Sequence, residues 1–248
     1  MAKEGWSRPA SAPAKIYSRE NGVVIRDVTP DLDDFVIQHM LENFARDSSP
    51  LAQSFKPAED PDSIADFATI WKNILPQRVS LVALAEGTPC SNLEPVSVSN
   101  PPTIIGVSVL TLHCKGEKST FSSQCNGAAI KKIFGLWNHL NSLVNIFERF
   151  NIDHYLDSVG FFAVPIMHEK GIFLMLMKAR IDLCRYLKIP LTRTINTEIN
   201  SQKVLAAKAG FEVLLDKHFE ELKGPDGKML FPEMAQHKSI QMLSARIR

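Results

Sequence analysis

The sequence predicts a single mixed-sheet α/β domain, and three observations lead to that prediction. Apolar runs typical of strands are interspersed with segments of helical periodicity, without the strict alternation of a doubly wound sheet. The chain has 248 residues, a length that allows one large domain or two small ones. Hydrophobic residues make up 45% and charged residues 22%, which is ordinary for a globular protein and excludes a mainly disordered chain.

The first half of the chain opens with a tail. Residues 1–20 are predicted to be flexible and residues 21–248 to form the domain, because residues 1–15 are rich in Pro, Ser and Ala. A β-branched run then predicts a strand, and Thr29 with Pro30 fits the start of a helix. The elements predicted in this half, with a loop over 47–61, are strand 22–28, helix 31–46, helix 62–75, strand 79–85, strand 103–113 and helix 128–150.

The second half begins with a continuous apolar run at 155–164, which is typical of a strand buried on both faces. A short turn separates this strand from a helix predicted over 171–187. The run from Gly224 to Gly227 is a strong turn signal. The remaining predicted elements are strand 191–196, helix 200–209, strand 211–216 and strand 239–245.

Composition excludes several classes of function. Lys and Arg number 28 against 27 Asp and Glu, so the net charge of +1 argues against nucleic acid as a partner. The four cysteines form no CxxC pair, and the histidines lack metal-ligand spacing. The most apolar stretch, 171–187, carries charges, and residues 1–15 contain no apolar run. We therefore expect a cytoplasmic monomer with neither a metal site nor a membrane partner.

The turn between Val164 and Gly171 is the first candidate site. A helix N-terminus presents unpaired N–H groups and the positive end of the helix dipole, so it can hold a phosphate group. A glycine at that point lets the backbone approach the anion closely, and Lys170 adds a positive charge. The same strand-turn-helix pattern occurs in most α/β proteins, so it does not define a function by itself.

Longer motifs give this turn a context. The run from His168 to Phe173 resembles the acetyl-coenzyme A pyrophosphate loop of the GNAT N-acetyltransferase superfamily, and Ala209-Gly210-Phe211 resembles the end of a later helix in that superfamily. The stretch Asp226–Pro232, followed by His237, is similar to the final hairpin of the insect arylalkylamine N-acetyltransferases. The resemblance extends over roughly residues 22–246.

The resemblance implies one GNAT-like domain with a mixed, mostly antiparallel, splayed central sheet flanked by helices. It implies acetyl transfer from acetyl-coenzyme A to a small, arylalkylamine-like primary amine, which attacks the thioester directly. Backbone N–H groups at Phe162, Ala163 and Val164 would position the donor. The pyrophosphate would be held by the turn, whose residues are His168, Glu169, Lys170, Gly171, Ile172 and Phe173.

Three departures from the family pattern concern the chemistry. In the loop, His168 replaces Gln or Arg, and the bulky Phe173 replaces a small residue, so that its ring either crowds the pyrophosphate or points into the core. The glutamate that serves the family as general base is replaced by Ser49, so Asp47 is the nearest candidate, unless it is only a solvated loop residue.

The third departure concerns the group that protonates the departing thiolate. Glu198 falls on a position where the insect family has serine, and Ser201 lies one residue away from another. Glu198 is either an acid or base in the cleft or a surface charge. These departures leave a second hypothesis open, in which the chain is a catalytically weak or silent GNAT-fold module that binds coenzyme A or another partner.

Overall fold

The computed structural model describes residues 6–46, 49–88, 93, 101–117, 124–164 and 171–248. Within those residues eight strands form one sheet: β1 (Ile16–Glu20), β2 (Val23–Asp27), β3 (Leu81–Ala85), β4 (Ile104–Cys114), β5 (His154–Ala163), β6 (Leu191–Asn196), β7 (Glu212–His218) and β8 (Ser239–Arg246). Their order across the sheet is β1-β2-β3-β4-β5-β6-β8-β7. The α-helices of the described chain are α1 (Asp33–Asn43), α2 (Pro50–Phe55), α3 (Pro61–Ile74), α4 (Ala128–Leu143), α5 (Ile146–Phe150), α6 (Ile172–Leu187) and α7 (Ile199–Lys208).

The sheet is antiparallel at every neighbouring pair except β5 and β6. Those two strands are parallel, and they are matched only at Leu156 with Thr192 and at Asp157 with Arg193. Beyond that point β5 continues to Ala163 and β6 to Asn196 without pairing to each other. The expected mixed, mostly antiparallel, splayed sheet is therefore confirmed.

Helices cover both faces of the sheet. Helices α1, α3 and α4 pack on one face, where Phe67 and Trp71 of α3 belong to a buried cluster with strand residues such as Val107 and Val109. Helix α6 packs on the other face, where Leu176 joins a second cluster. Burial of both faces explains why the central strands are apolar at successive positions, as their sequences predict.

A bulge distorts β5 where the sheet opens. Val109 of β4 pairs with Gly160 while Leu110 pairs with Ser158, so Val159 has no partner in the ladder. A Cβ atom on Gly160 would lie 2.9 Å from Cε of Met40. The absence of a side chain at Gly160 therefore allows α1 to pack closely against the bulged strand.

Two elements appear where the sequence predicted none. Residues 16–20, expected to belong to the tail, form β1 and pair with β2. The predicted loop 47–61 contains α2, which is compatible with its proline because Pro50 occupies the first turn, where its missing N–H has no helical acceptor.

The helix predicted over residues 128–150 is interrupted. Val144 is extended, with φ −138° and ψ 106°, so α4 ends before it. The side chain of Asn145 then accepts a hydrogen bond from the N–H of Glu148 at 3.4 Å and caps α5. Helical periodicity continues through the break, but a capping residue begins a separate helix.

Two side chains from the start of α3 cap the first turn of α4. They belong to Asp60, which is the N-cap of α3, and to Ser63. Asp60 Oδ2 accepts hydrogen bonds from Ser63 Oγ at 2.7 Å and from the N–H of Ala129 at 3.0 Å. The hydrogen bond from Ala129, with those from Ser63, lowers the pKa of Asp60 to about 2. These bonds link α3 to α4 through the ionised carboxylate.

We expect acid to weaken this link. Because the pKa of Asp60 is lower in the folded chain than its unfolded value of about 3.9, its contribution to stability is present above pH 4 and is lost as the pH falls towards 2. Urea unfolding at pH 7 and pH 2.5 should therefore show a smaller acid-induced loss of stability for Asp60→Asn than for the wild type. The exposed Asp34→Asn is the control, and equal losses in all three proteins would contradict the expectation.

Candidate active site

A cleft of about 700 Å³ opens where β5 and β6 separate. One wall is the part of β5 that is not paired to β6, from Ser158 to Ala163. The opposite wall is the end of β6, from Thr194 to Asn196. The first turns of α6 and one side of α7 form further walls of the cleft. The cleft therefore follows directly from the short parallel pairing of the two strands.

The backbone of β5 has one edge paired to β4 and one edge on the cleft. The N–H of Val164 donates to the carbonyl of Ile105 at 3.0 Å, so this group is used by the sheet. Because hydrogen-bonding direction alternates along an antiparallel strand, Phe162 also directs its N–H towards β4, whereas Phe161 and Ala163 direct theirs to the cleft. The expectation of three donors at Phe162, Ala163 and Val164 is thus corrected to Phe161 and Ala163.

The start of α6 borders the same cleft. Gly171 caps the helix with φ 69° and ψ 27°, a left-handed conformation that glycine adopts without strain. Ile172 is completely buried, and its Cγ2 atom would lie 3.0 Å from a Cβ added to Gly106, so only its backbone is available for binding. The expected loop residues His168, Glu169 and Lys170, and the proposed base Asp47, lie outside the described residues.

Phe173 lines the cleft and also packs, partly buried, against the second core cluster. It makes an edge-to-face contact with Phe161, whose ring centroid is 5.1 Å away at an interplanar angle of 84°. The two rings form an apolar wall between the β5 edge and the helix N-terminus. Phe173 therefore narrows the cleft beside the N-terminus of α6.

Glu198 also lines the cleft, where it caps α7. Its carboxylate accepts hydrogen bonds from the N–H of Asn200 at 2.9 Å and the N–H of Ser201 at 2.6 Å. Burial raises the pKa of Glu198, but the hydrogen bonds from Asn200 and Ser201 outweigh that effect and lower it overall. The carboxylate is therefore ionised and held at the helix terminus, which makes it a weak base.

The opposite end of the cleft is more apolar and includes Phe44, Leu51 and Trp137. Ser49 lies there as well, and its hydroxyl accepts a hydrogen bond from the N–H of Ala52 at 3.4 Å as the cap of α2. The structure thus brings Ser49, Glu198 and Ser201 into one cleft. Ser49 lacks a side chain that can accept an amine proton at neutral pH.

Sequence reasoning missed several cleft residues. Trp137 and Lys208 line the cleft from α4 and α7, and Phe161 supplies both a ring and a backbone edge. Lys208 and Glu198 are the charged side chains of the described cleft walls. The alternation of β5 could have indicated Phe161, but no local signal marks Trp137, because its position depends on how α4 packs across the sheet.

The His237 side chain packs between α2 and the turn that follows β7. Its Nε2 atom lies 3.2 Å from Ser54 Oγ, and its ring is 6.5 Å from that of Phe219. Burial lowers the pKa of His237. In the described part of the chain no three His, Cys, Asp or Glu residues are grouped so that they could hold a metal ion, and no helix there is long and apolar enough to cross a membrane.

Comparison with solved structures identifies the class to which this fold and cleft belong. The chain has the GNAT fold, and its resemblance to the insect arylalkylamine N-acetyltransferases is confirmed. It is similar to the protein named arylalkylamine N-acetyltransferase 7 of the yellow fever mosquito, with 27% identity, coverage of 98% of this chain and 100% of that one, and a TM-score of 0.84.

Two further structures share the fold at lower identity. Arylalkylamine N-acetyltransferase 2 of Aedes aegypti is 18% identical, with coverage of 92% and 100% and a TM-score of 0.70. The polyamine N-acetyltransferase of Drosophila melanogaster, described as forming N-acetylagmatine, is 16% identical, with coverage of 90% and 99% and a TM-score of 0.71. No protein-family model and no curated protein sequence matches the chain.

Proposed function

We propose that the chain is an acetyl-coenzyme A-dependent N-acetyltransferase that acts on a small, arylalkylamine-like primary amine. The observation that carries this proposal is the free edge of β5, where the N–H groups of Phe161 and Ala163 face a cleft bordered by a helix N-terminus. An extended donor arm with amide groups can pair with such an edge as an added strand would. The fold and its similarity to the mosquito protein support the same function.

The donor's charged end fits the part of the cleft near α6. Its pyrophosphate would lie at the helix N-terminus, at the turn from His168 to Gly171 and the backbone of Ile172 and Phe173. Lys208 supplies a positive charge on the α7 side of the cleft. The thioester would then lie beside Ala163, where the strand edge meets the more apolar end of the cleft.

The reaction is a direct transfer of the acetyl group. The amine nitrogen attacks the thioester carbonyl, an N–C bond forms, the C–S bond breaks, and one amine proton passes to a base. An N–H group on the cleft edge of β5 stabilises the oxyanion that develops on the carbonyl oxygen. We assign the base to Asp47, because Ser49, only two residues further along the chain, lies in the cleft. We assign protonation of the departing thiolate to Ser201, which also lines the cleft.

Glu198 is expected to be a helix cap rather than the base. Glu198→Ser keeps a capping side chain but removes the carboxylate, whereas Glu198→Ala removes both. We expect Glu198→Ser to retain the acetylation rate within about twofold, and Glu198→Ala to lose about 1 kcal/mol of stability through the missing cap. If both variants lose at least tenfold in rate while Asp47→Ala does not, Glu198 is the base and our assignment is wrong.

The function is tested by incubating the protein with acetyl-coenzyme A and a panel of amines. The panel contains dopamine, tryptamine, octopamine, agmatine and a polyamine, and transfer is followed as release of the free thiol and as the mass of the acetylated product. The proposal expects turnover of at least one arylalkylamine, abolished in Asp47→Ala. Binding of the donor without turnover of any amine would instead support the silent module, which is favoured by the use of the Ser49 and Glu198 side chains as helix caps.

The remaining expectations belong to the same proposal. We propose that the protein acts as a cytoplasmic monomer, without a metal, nucleic acid or membrane partner. Balanced charge supports the absence of a nucleic-acid partner. A direct attack on the thioester requires neither a metal ion nor a covalent enzyme intermediate.

A further inference from the structure

A buried guanidinium group lies where β5 and β6 begin to diverge, next to their matched residues Leu156, Asp157, Thr192 and Arg193. This point is called the apex below. Arg180 belongs to α6 and its residue exposure is 0%. Its Nε donates to Thr192 Oγ1 at 2.5 Å, and its Nη2 donates to the carbonyls of Leu156 at 3.3 Å and of Arg193. One side chain therefore hydrogen-bonds to a carbonyl of each diverging strand.

These acceptors lie at the last point where the two strands are matched. The parallel register consists of Leu156 with Thr192 and Asp157 with Arg193, after which the strands separate. The hydroxyl of Thr192 also donates to the carbonyl of Leu156 at 3.1 Å. Buried carbonyl groups need hydrogen-bond partners. At the apex the side chains of Arg180 and Thr192 provide them for Leu156 and Arg193, in place of a continuing strand ladder.

A second pair of charges lies at the same apex and is already fully engaged. Asp157 accepts hydrogen bonds from Arg193 and from the N–H of Ser158 at 2.9 Å, and its Oδ2 lies 3.5 Å from His113 Nε2. Arg193 also donates to the side chain of Asn141. The contacts of Arg180, in contrast, are with a hydroxyl and two carbonyls, so its charge has no direct carboxylate partner within the described residues.

Such a group is costly to bury. Burial lowers the pKa of Arg180 to about 10, so the side chain remains a cation at neutral pH. Its Nη1 has no hydrogen-bond partner in the described part of the chain. An apolar residue would fill this position with less loss of solvation, so Arg180 contributes something that packing alone does not.

The position of Arg180 along α6 indicates what that contribution is. Phe173, Leu174 and Met177 of the same helix line the cleft, and Arg180 follows Met177 by about one turn, at the closed end. The side chain therefore holds both diverging strands and the helix that borders their opening. A change at this point alters the relative positions of three cleft walls together.

We propose that Arg180 is the positioning residue that sets the spread of β5 and β6, and with it the width of the cleft that receives the donor. The inference rests on the proposed function for the identity of the donor, but the strand geometry itself is measurable without any ligand. Arg180 touches neither the donor nor the amine in this account. It acts through the carbonyls of Leu156 and Arg193.

Hydrogen exchange of the free protein tests the geometric part. Arg180→Met removes every apex bond of this side chain, Thr192→Val removes one acceptor with little change of shape, and Arg180→Lys keeps the charge with fewer donors. We expect the β5 amides that bond to β4 beyond the bulge, such as that of Phe162, and the amides within Thr194–Asn196 that bond to β8, to exchange about tenfold faster in Arg180→Met and less so in the other two variants. Arg26→Met is the matched control, since Arg26 is also 0% exposed but lies on β2, three strands from β5.

Titration with acetyl-coenzyme A tests the functional part in the same variants. Arg180→Met should weaken donor binding about tenfold, Arg180→Lys should restore part of that loss, and Arg26→Met should lower the melting temperature without changing donor affinity. The proposal is overturned if hydrogen exchange near the apex is unchanged in Arg180→Met and Thr192→Val. It is also overturned if Arg180→Met and Arg26→Met weaken donor binding equally. Wild-type protein that binds no donor but shows the local exchange effect would refute the proposed function and leave the strand-positioning role supported.

Discussion

Replacing Arg8 by methionine is expected to lower the free energy of unfolding by about 3 kcal/mol. Arg8 forms an ion pair of 2.9 Å with Asp27 of β2, and the two side chains are 6% and 0% exposed. The same guanidinium donates to the carbonyl of Arg78 at 3.0 Å and to the carbonyl of Pro13 at 2.8 Å. Its removal would leave a buried carboxylate without its charged partner.

The rest of the environment of Asp27 explains why the loss should be large. Asp27 accepts further hydrogen bonds from the N–H of Lys15 at 2.8 Å and from the hydroxyl of Tyr17 at 3.0 Å. Burial, followed by the charge of Asp27, raises the pKa of Tyr17 well above its usual value. Arg8, Lys15 and Tyr17 of the segment before β2 therefore all bond to one carboxylate, in addition to the pairing of β1 with β2.

Chemical denaturation of Arg8→Met and of a surface control measures this effect. Arg19→Met breaks the pair between Arg19 and Glu86, whose side chains are 38% and 45% exposed, and should change stability by less than about 1 kcal/mol. Arg8→Met in an Asp27→Leu background should cost less than in the wild type, because no buried charge is then left unpaired. Equal, small effects of Arg8→Met and Arg19→Met would show that the segment does not depend on this ion pair.

Replacing Ala163 by proline is expected to weaken the binding of acetyl-coenzyme A by tenfold or more. Proline removes the one N–H group at this position, and that group faces the cleft rather than β4. A strand tolerates proline where its N–H side is free, so the ladder to β4 should survive. The loss would therefore fall on the ligand.

Two further variants separate binding from folding. Ala163→Gly keeps the N–H group and should bind the donor with near wild-type affinity. Val164→Pro removes the N–H that donates to Ile105 and should lower the melting temperature more than Ala163→Pro does. Calorimetric titration and thermal unfolding of all three variants provide the measurements. A donor affinity that is equal in Ala163→Pro and Ala163→Gly would contradict the assigned direction of this strand edge.

Much of the fold could be predicted from periodicity and turn signals. Strand β6 was predicted with its observed bounds, Leu191–Asn196, because a short β-branched run between a proline and a capping sequence has few alternatives. Strand β1 was missed, since Ile16–Glu20 is stabilised by pairing to β2 and by the contacts of Arg8 and Asp27, which no local pattern reveals. Helix α2 differs from the predicted loop because a proline marks a loop in most contexts, whereas Pro50 occupies the first turn of a helix.

The candidate site was predictable only in part. Helical periodicity and the glycine predict the N-terminus of α6. The resemblance singles out Glu198 and Ser201 but leaves open whether Glu198 faces the cleft, which the structure shows that it does. Sequence could not show that the N–H of Val164 is used by the sheet, because that depends on the register between β4 and β5. Nor could it show that the carboxylate of Glu198 is bonded to the backbone of its own helix.

Calorimetric titration of the wild-type protein with acetyl-coenzyme A tests the central claim most directly, because every step of the proposed reaction requires the donor to bind in the splayed cleft. The account predicts one site per chain with a dissociation constant between about 1 µM and 1 mM, and weaker binding in Ala163→Pro. Absence of both heat and a thermal shift at millimolar donor would contradict the assignment of the cleft as a donor site.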